Sequence, residues 1–208
     1  FFRSLMNSVI VVGCSCFFNC VIASMAAYGF EKKHFWGKEF LFKVYMLTLM
    51  IPGQVTMIPV FIIMKKLGLL NTYFALVVII LNAFGVFLIR QFMESVPDEL
   101  LEAAKVDGCP EYKIFINIVI PLIKPVLVSL VVFTFVTSWN DFMWPLVSTT
   151  DSSMYTLTVA LSLLKTQYQT NYGLILAGAT VSFIFPFILY AFLQKQFVEG
   201  IALSGVKG

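Results

Sequence analysis

Apolar residues in this chain of 208 residues come in long, nearly unbroken runs rather than the short periodic patches of a soluble core. A helix needs ~20 mostly apolar residues to cross the ~30 Å hydrocarbon layer of a bilayer. Five stretches reach that length, about 7–30, 40–64, 70–92, 118–138 and 174–197. The second holds Pro52 and Pro59, which predict a kink or a break. No stretch alternates with period two, which argues against a β-barrel. Backbone polar groups in lipid must be satisfied within the segment itself. The expected fold is all-α, a polytopic transmembrane helix bundle forming a single domain over 1–208. The chain opens on Phe1 rather than Met, and one further span is expected before it, making six in the full chain.

Composition supports this reading. Hydrophobic residues make up 60% of the chain and charged residues 12%, against ~25% charged in an average soluble domain. Too few polar groups remain to cover a globule of this size. A soluble enzyme, a disordered tail and a nucleic-acid-binding domain are therefore excluded. The net charge of +3 is too small to suggest a nucleic-acid partner, and its distribution says more than its sum. Lys32, Lys33, Lys38, Arg90, Lys105, Lys113, Lys124, Lys195 and Lys207 fall on one set of connections. Arg3, Lys65, Lys66 and Lys165 fall on the other. Positive charge favours the cytoplasmic side, which places the 93–117 loop and the C-terminus in the cytoplasm.

Candidate chemistry is sparse. Cys14, Cys16 and Cys20 sit in an apolar run and Cys109 in a charged loop, so neither a disulfide framework nor a zinc spacing is supported. His34 is the single histidine, and no metal site or cofactor is expected in the chain. A phosphate-binding G-x-x-x-x-G-K-[ST] is absent, as are G-x-S-x-G and H-E-x-x-H. The chain is not expected to be an enzyme. No acid lies mid-span, where ion-coupled carriers commonly place one. An ion-coupled secondary transporter or channel is the alternative class.

The 93–117 loop and its continuation to Pro125 hold Glu94, Asp98, Glu99, Glu102, Asp107 and Glu111, six of the eleven acids. Pro97 suits a first helical position, Asp98 and Glu99 complement a helix N-terminus, and Gly108 suits a stop. Pro110 then restarts a helix that becomes the next span after Pro121 and Pro125. A helix of ~10 residues is marginal in water alone, so it is expected to dock onto something. An amphipathic helix on the lipid surface is the competing reading, but such helices are usually basic, and acids outnumber bases here.

Glu102-Ala103-Ala104, three residues, Gly108, nine residues and then Ile118-Val119-Ile120-Pro121 resemble the EAA loop of permease subunits of binding-protein-dependent ABC importers, with Ile120 standing where Leu is usual. Asn7-Ser8, the segment from Trp139 to Leu146 and the ending Gly205-Val206-Lys207-Gly208 resemble the carbohydrate-uptake branch. The resemblance covers essentially the whole chain from the family's second span onward. It implies a permease subunit of an ATP-driven importer for a sugar or oligosaccharide; a permease of the same superfamily for a non-sugar solute is a second alternative. The implied partners are a second homologous permease, two ATP-binding subunits that carry the ATP and Mg, and an extracytoplasmic solute-binding protein. The implied location is a bacterial or archaeal plasma (inner) membrane. Glu102, Ala103, Ala104, Asp107, Gly108 and Pro121 are the implied contacts or supports for coupling to the ATPase.

The remaining polar candidates carry two readings each. Gln54, Thr56, Asn82 and Thr134 line a translocation path or serve as interhelical glue. Trp139, Asn140 and Asp141 shape an outer gate or sugar path, or form an aromatic belt with a structural Asp. Tyr155, Tyr168 and Tyr172 contact the binding protein, or their segment is an ordered cap.

Overall fold

The computed structural model describes the backbone of residues 1–167 and 172–205, and the side chains of 1–164 and 172–192. Tyr168 and residues 206–208 lie outside the described residues, and among the described residues no strand occurs. In chain order the helices are α1 (Phe2–Lys32), α2 (Lys38–Leu47), α3 (Gly53–Lys66), α4 (Tyr73–Val78), α5 (Ala83–Met93) and α6 (Asp98–Val106). They continue with α7 (Glu111–Ile114), α8 (Ile120–Leu122), α9 (Lys124–Asn140), α10 (Met143–Ser148), α11 (Leu157–Gln167) and α12 (Tyr172–Gly205).

Breaks fall where the backbone grammar puts them. Ile51 and Pro52 are extended, with ψ of 116° and 130°, and separate α2 and its 3-10 turn from α3; a residue before proline is pushed out of the α region. Pro59 is carried inside α3. The stretch 70–92 is two helices, not one. Asn82 is extended (φ −134°, ψ 170°) and its Oδ1 accepts from the Phe84 N–H at 3.0 Å, starting a new helix at Ala83. Between α7 and α8 the backbone widens to a π turn over Phe115–Val119, just before Pro121, whose missing N–H leaves the Asn117 carbonyl without its usual partner. The helix ends at Ile123 and restarts at Lys124 with a bend of 76°. Among the described residues, α1 and residues 172–192 of α12 are long and apolar enough to cross a membrane, and up to four spans result if each bent pair counts as one.

The described residues form two compact units that interleave along the chain, residues Phe1–Cys16, Pro52–Leu81 and Phe133–Lys195 in the first, the others in the second. In both, α1 turns many of its small and polar side chains inward. Within the first unit α1 buries Ser4, Asn7, Ser8, Val11, Val12 and Ser15. Within the second it buries Asn19, Ala23, Ser24 and Ala27, while Phe17, Phe18, Ile22 and Met25 face outward. Small and polar side chains inside with large apolar ones outside is the arrangement lipid selects, because tails as apolar as Leu give helices no hydrophobic reason to associate. On α12 only Gly178 is buried between residues 172 and 192, and a Cβ there would run into the Leu161 side chain of α11.

The first unit has its core around Val11, Ala75, Leu76, Val77 and Trp144, with a second cluster of Val12, Trp139 and Leu157. The second unit centres on Ala27, Val86, Ile89, Met93, Leu101, Ile114, Ile123 and Leu130. Gly85 lets α5 approach closely there: a Cβ would lie 3.1 Å from Ala23 Cβ and 3.2 Å from both Asn19 Oδ1 and Leu130 Cδ1.

Candidate functional site

In the 93–117 loop, Pro97 is extended (ψ 131°) and α6 begins at Asp98, one residue later than the sequence punctuation predicts. Asp98 and Glu99 occupy its first turn and favour the positive end of the helix dipole. At the other end Gly108 has φ +77°. Its N–H donates to the Lys105 carbonyl (3.0 Å) and the Cys109 N–H to the Ala104 carbonyl (3.0 Å), the paired bonds of a Schellman stop. A residue with a Cβ is strained at that angle, so Gly108 sets the direction in which the chain leaves the helix.

α6 is two-faced. Leu101 and Ala104 are buried in the second unit's core, three residues apart on one side. Glu99, Leu100, Glu102, Ala103, Val106 and Asp107 are exposed, with Val106 at 87%. The outward face is thus a low apolar surface of Leu100, Ala103 and Val106, flanked by the exposed carboxylates of Glu99, Glu102 and Asp107 and by the exposed Lys105. Of the residues predicted from sequence, Glu102, Ala103, Asp107 and Gly108 lie on this exposed helix and turn, and Ala104 faces inward. Pro121 is exposed on the following helical segment.

The loop is held at both ends by the C-terminal end of α1 and by Lys33, the residue that follows it. Lys32 Nζ donates to the Val96 carbonyl (2.6 Å) and to Asp98 Oδ1 (2.8 Å). Lys33 Nζ and the Tyr28 hydroxyl both donate to Glu111 Oε1. The hydrogen bond and the charge of Lys32 hold the Asp98 carboxyl below the usual carboxylate range. Hydrogen bonds from Lys33 and then Tyr28 do the same for Glu111. One residue back, Glu31 accepts from Arg90 Nε (2.8 Å), whose NH2 donates to Glu39 (2.9 Å). The guanidinium sits 3.9 Å from the centroid of the Phe42 ring. In the sequence Lys32, Lys33 and Arg90 read only as positive charge setting orientation. Their partners lie 51 to 78 residues away, and no local pattern marks them.

The polar candidates outside the loop are used by the scaffold. Trp139 is 4% exposed, packs against Phe135 and Phe185, and donates its indole N–H to the Ser182 carbonyl (3.1 Å). That carbonyl lies four residues before Pro186, which has no N–H to offer it. Trp144, also 4% exposed, donates to the Ala75 carbonyl (2.8 Å) in the last turn of α4. Neither ring is an interfacial belt nor an open face for a solute. Asp141 accepts from the Trp144 N–H at the start of α10 (3.5 Å), and Asn140 donates to the Val136 carbonyl in its own helix. Asn82 is spent on capping α5, Thr56 donates to the Gly53 carbonyl, and Gln54 is exposed in the first turn of α3. Tyr172 is exposed. The Tyr155 carbonyl accepts from Asn7, which also donates to the Ser153 carbonyl and accepts from the Tyr73 hydroxyl. Ser8 Oγ accepts from the Leu157 N–H and so caps α11. Cys14, Cys16, Cys20 and Cys109 remain thiols, and no cluster of metal-ligating side chains occurs among the described residues.

Comparison with known proteins is consistent across the chain. Residues 20–202 match the family model described as binding-protein-dependent transport system inner membrane component. The arabinooligosaccharides transport system permease protein AraQ of Halalkalibacterium halodurans is 38% identical over 209 residues, covering 100% of this chain and 74% of that protein. The lactose transport system permease protein LacG of Rhizobium radiobacter is 35% identical, with 97% and 74% covered. The diacetylchitobiose uptake system permease protein DasC of Streptomyces coelicolor is 31% identical, with 100% and 76% covered. Among solved structures, a chain of a bacterial ABC transporter involved in the import of the acidic polysaccharide alginate superposes with a TM-score of 0.80 at 27% identity, over 95% of this chain and 75% of that one.

Proposed function

The chain belongs to the binding-protein-dependent transport system inner membrane components, and from that premise we propose that it carries a sugar or oligosaccharide across the plasma membrane as one permease subunit of an ATP-driven importer. It is a transport subunit working with other transporter components and a solute-binding protein; ATP hydrolysis belongs to separate subunits. The proposed assembly pairs it with a second homologous permease and two ATP-binding subunits that hold ATP and Mg. In the proposed orientation the 93–117 loop and the C-terminus are cytoplasmic, and the binding protein approaches from the other side.

The observation that carries the mechanism is α6, a rigid nine-residue helix with one face packed on the core and the other exposed. Its exit direction is set by Gly108. Such a knob fits a cleft on an ATPase subunit, with Glu102, Ala103 and Asp107 at the contact, Ala104 seating the helix on its own bundle, and Pro121 shaping the segment behind it. Closure of two ATPases around ATP would displace α6 and rock the bundle between its two access states. Relatives named for arabinooligosaccharide, lactose and diacetylchitobiose transport favour a sugar as cargo.

The full importer in proteoliposomes with its binding protein tests this with labelled arabinooligosaccharides, lactose and diacetylchitobiose. ATP-dependent uptake of a sugar is expected, and Glu102→Lys or Gly108→Val should abolish ATPase association and uptake together. Uptake driven by an ion gradient without ATP would refute the reading, and uptake of only a non-sugar solute would move the chain to another branch of the family.

A further inference from the structure

The C-terminal end of α1, from Tyr28 to Lys33 just past its last helical residue, reaches both ends of the coupling loop. Lys32 holds the entry, through the Val96 carbonyl and Asp98, and Lys33 with Tyr28 holds the exit, through Glu111. Lys32 keeps only 5% of its side chain exposed. An ammonium so far out of water is stable only while its partners stay in place. A short helix gripped at one end would swing on its flanking turns when pushed, and the displacement would be lost in them. Gripped at both ends, it moves as a unit with the rod that holds it, here a helix of 31 residues. Glu31, in the same turn, ties the rod to Arg90 at the end of α5, the helix that leads into the loop.

Resting on the reading of α6 as the ATPase-docking helix, we propose that Tyr28, Lys32 and Lys33 are positioning residues that transmit the movement of α6 into α1. They touch neither cargo nor nucleotide. They act by keeping the loop and the α1 end one rigid body.

The test uses the complete importer in proteoliposomes, with the full-length chain. It reads the ratio of ATP hydrolysis with and without the sugar-loaded binding protein, at equal amounts of assembled complex. A role limited to stability changes the yield and leaves that ratio alone. Lys33 is the more exposed of the two lysines, at 33% against 5%, so its variants and those of Glu111 should assemble even where Lys32→Met fails to fold. Lys33→Met and Glu111→Gln are expected to lower the ratio about two- to fivefold, the span an exposed ion pair supports, with ATPase association unchanged. The swap Lys33→Glu with Glu111→Lys is expected to regain it. An unchanged ratio in both single variants overturns the proposal. Glu102→Lys separates the two levels. If it spares ATPase association, the docking reading itself falls; if it breaks association while the Lys33 and Glu111 variants stay stimulated, only the positioning role falls.

Discussion

Replacing Trp139 by Phe isolates one hydrogen bond inside an aromatic stack. The indole N–H donates at 3.1 Å to the Ser182 carbonyl, which Pro186 leaves without an intrahelical partner. Phe keeps a ring between Phe135 and Phe185, whose centroids lie 5.5 and 5.1 Å from that of Trp139, so most of the packing survives. A buried carbonyl stripped of its donor costs about 1–3 kcal/mol, while measured polar couplings between membrane helices average about 0.6 kcal/mol. Trp139→Phe should therefore cost about 1–2 kcal/mol. In a Pro186→Ala background the new Ala N–H can reach the Ser182 carbonyl along the helix, and the same substitution should cost about 1 kcal/mol less. The assay is a double-mutant cycle on reversible unfolding of the purified chain in mixed micelles. A coupling energy within about 0.3 kcal/mol of zero, the scatter of independent sites, would refute the pairing of Trp139 with the proline-freed carbonyl.

Three further outcomes follow from the second unit. Gly85→Val should cost about 1–3 kcal/mol by overpacking α5 against Ala23 and Leu130, read as a fall in melting temperature in detergent, while Gly85→Ala should cost less. Arg90→Ala leaves Glu31, whose side chain is 22% exposed, without its partner; a fully buried pair would cost about 3–5 kcal/mol, and the exposure of Glu39 (59%) brings the expectation to about 2 kcal/mol. Arg90→Lys, which has no fork to span both carboxylates, should recover about half of it in the same melting assay. The Asp98 and Glu111 carboxyls are held below the usual carboxylate range. Their contribution is therefore complete above the unfolded values of about 4 and is lost as pH falls through the lowered folded values. Hydrogen exchange over 96–117 should stay constant from pH 7 to about 5 and accelerate only below about 4, after correction for intrinsic rates. A transition near pH 6–7 would show that carboxylates do not hold the loop.

Local grammar made much of the loop legible. Gly108 reads as a left-handed stop from its place after an Ala-rich turn, and it has φ +77°; Pro52 reads as a break, and Ile51 is extended. Asn82 carries two signals at once. A lone Asn in an apolar run looks like a path-lining or interhelical group, but Asn is also a strong helix cap, and here it starts α5. The partner of Trp139 is likewise not legible locally: an aromatic beside Asn140 and Asp141 invites a sugar-facing reading, and only the fold brings Ser182 and Pro186 beside it.

The sequence by itself determined the medium, the helical class and the short helix of the 93–117 loop, because burial in lipid, helix capping and left-handed glycine all act within a few residues. Tertiary structure alone decided which polar groups remain available for work. Trp139, Trp144, Asn7 and Ser8 are consumed by carbonyls and amides 43 to 149 residues away, and Lys32 and Lys33 find carboxylates 66 and 78 residues on. In a low-dielectric surrounding an unmet donor or acceptor is too costly to leave. The fold therefore spends its rare polar side chains first on closing its own backbone, and a side chain's role depends on which broken helix end lies beside it.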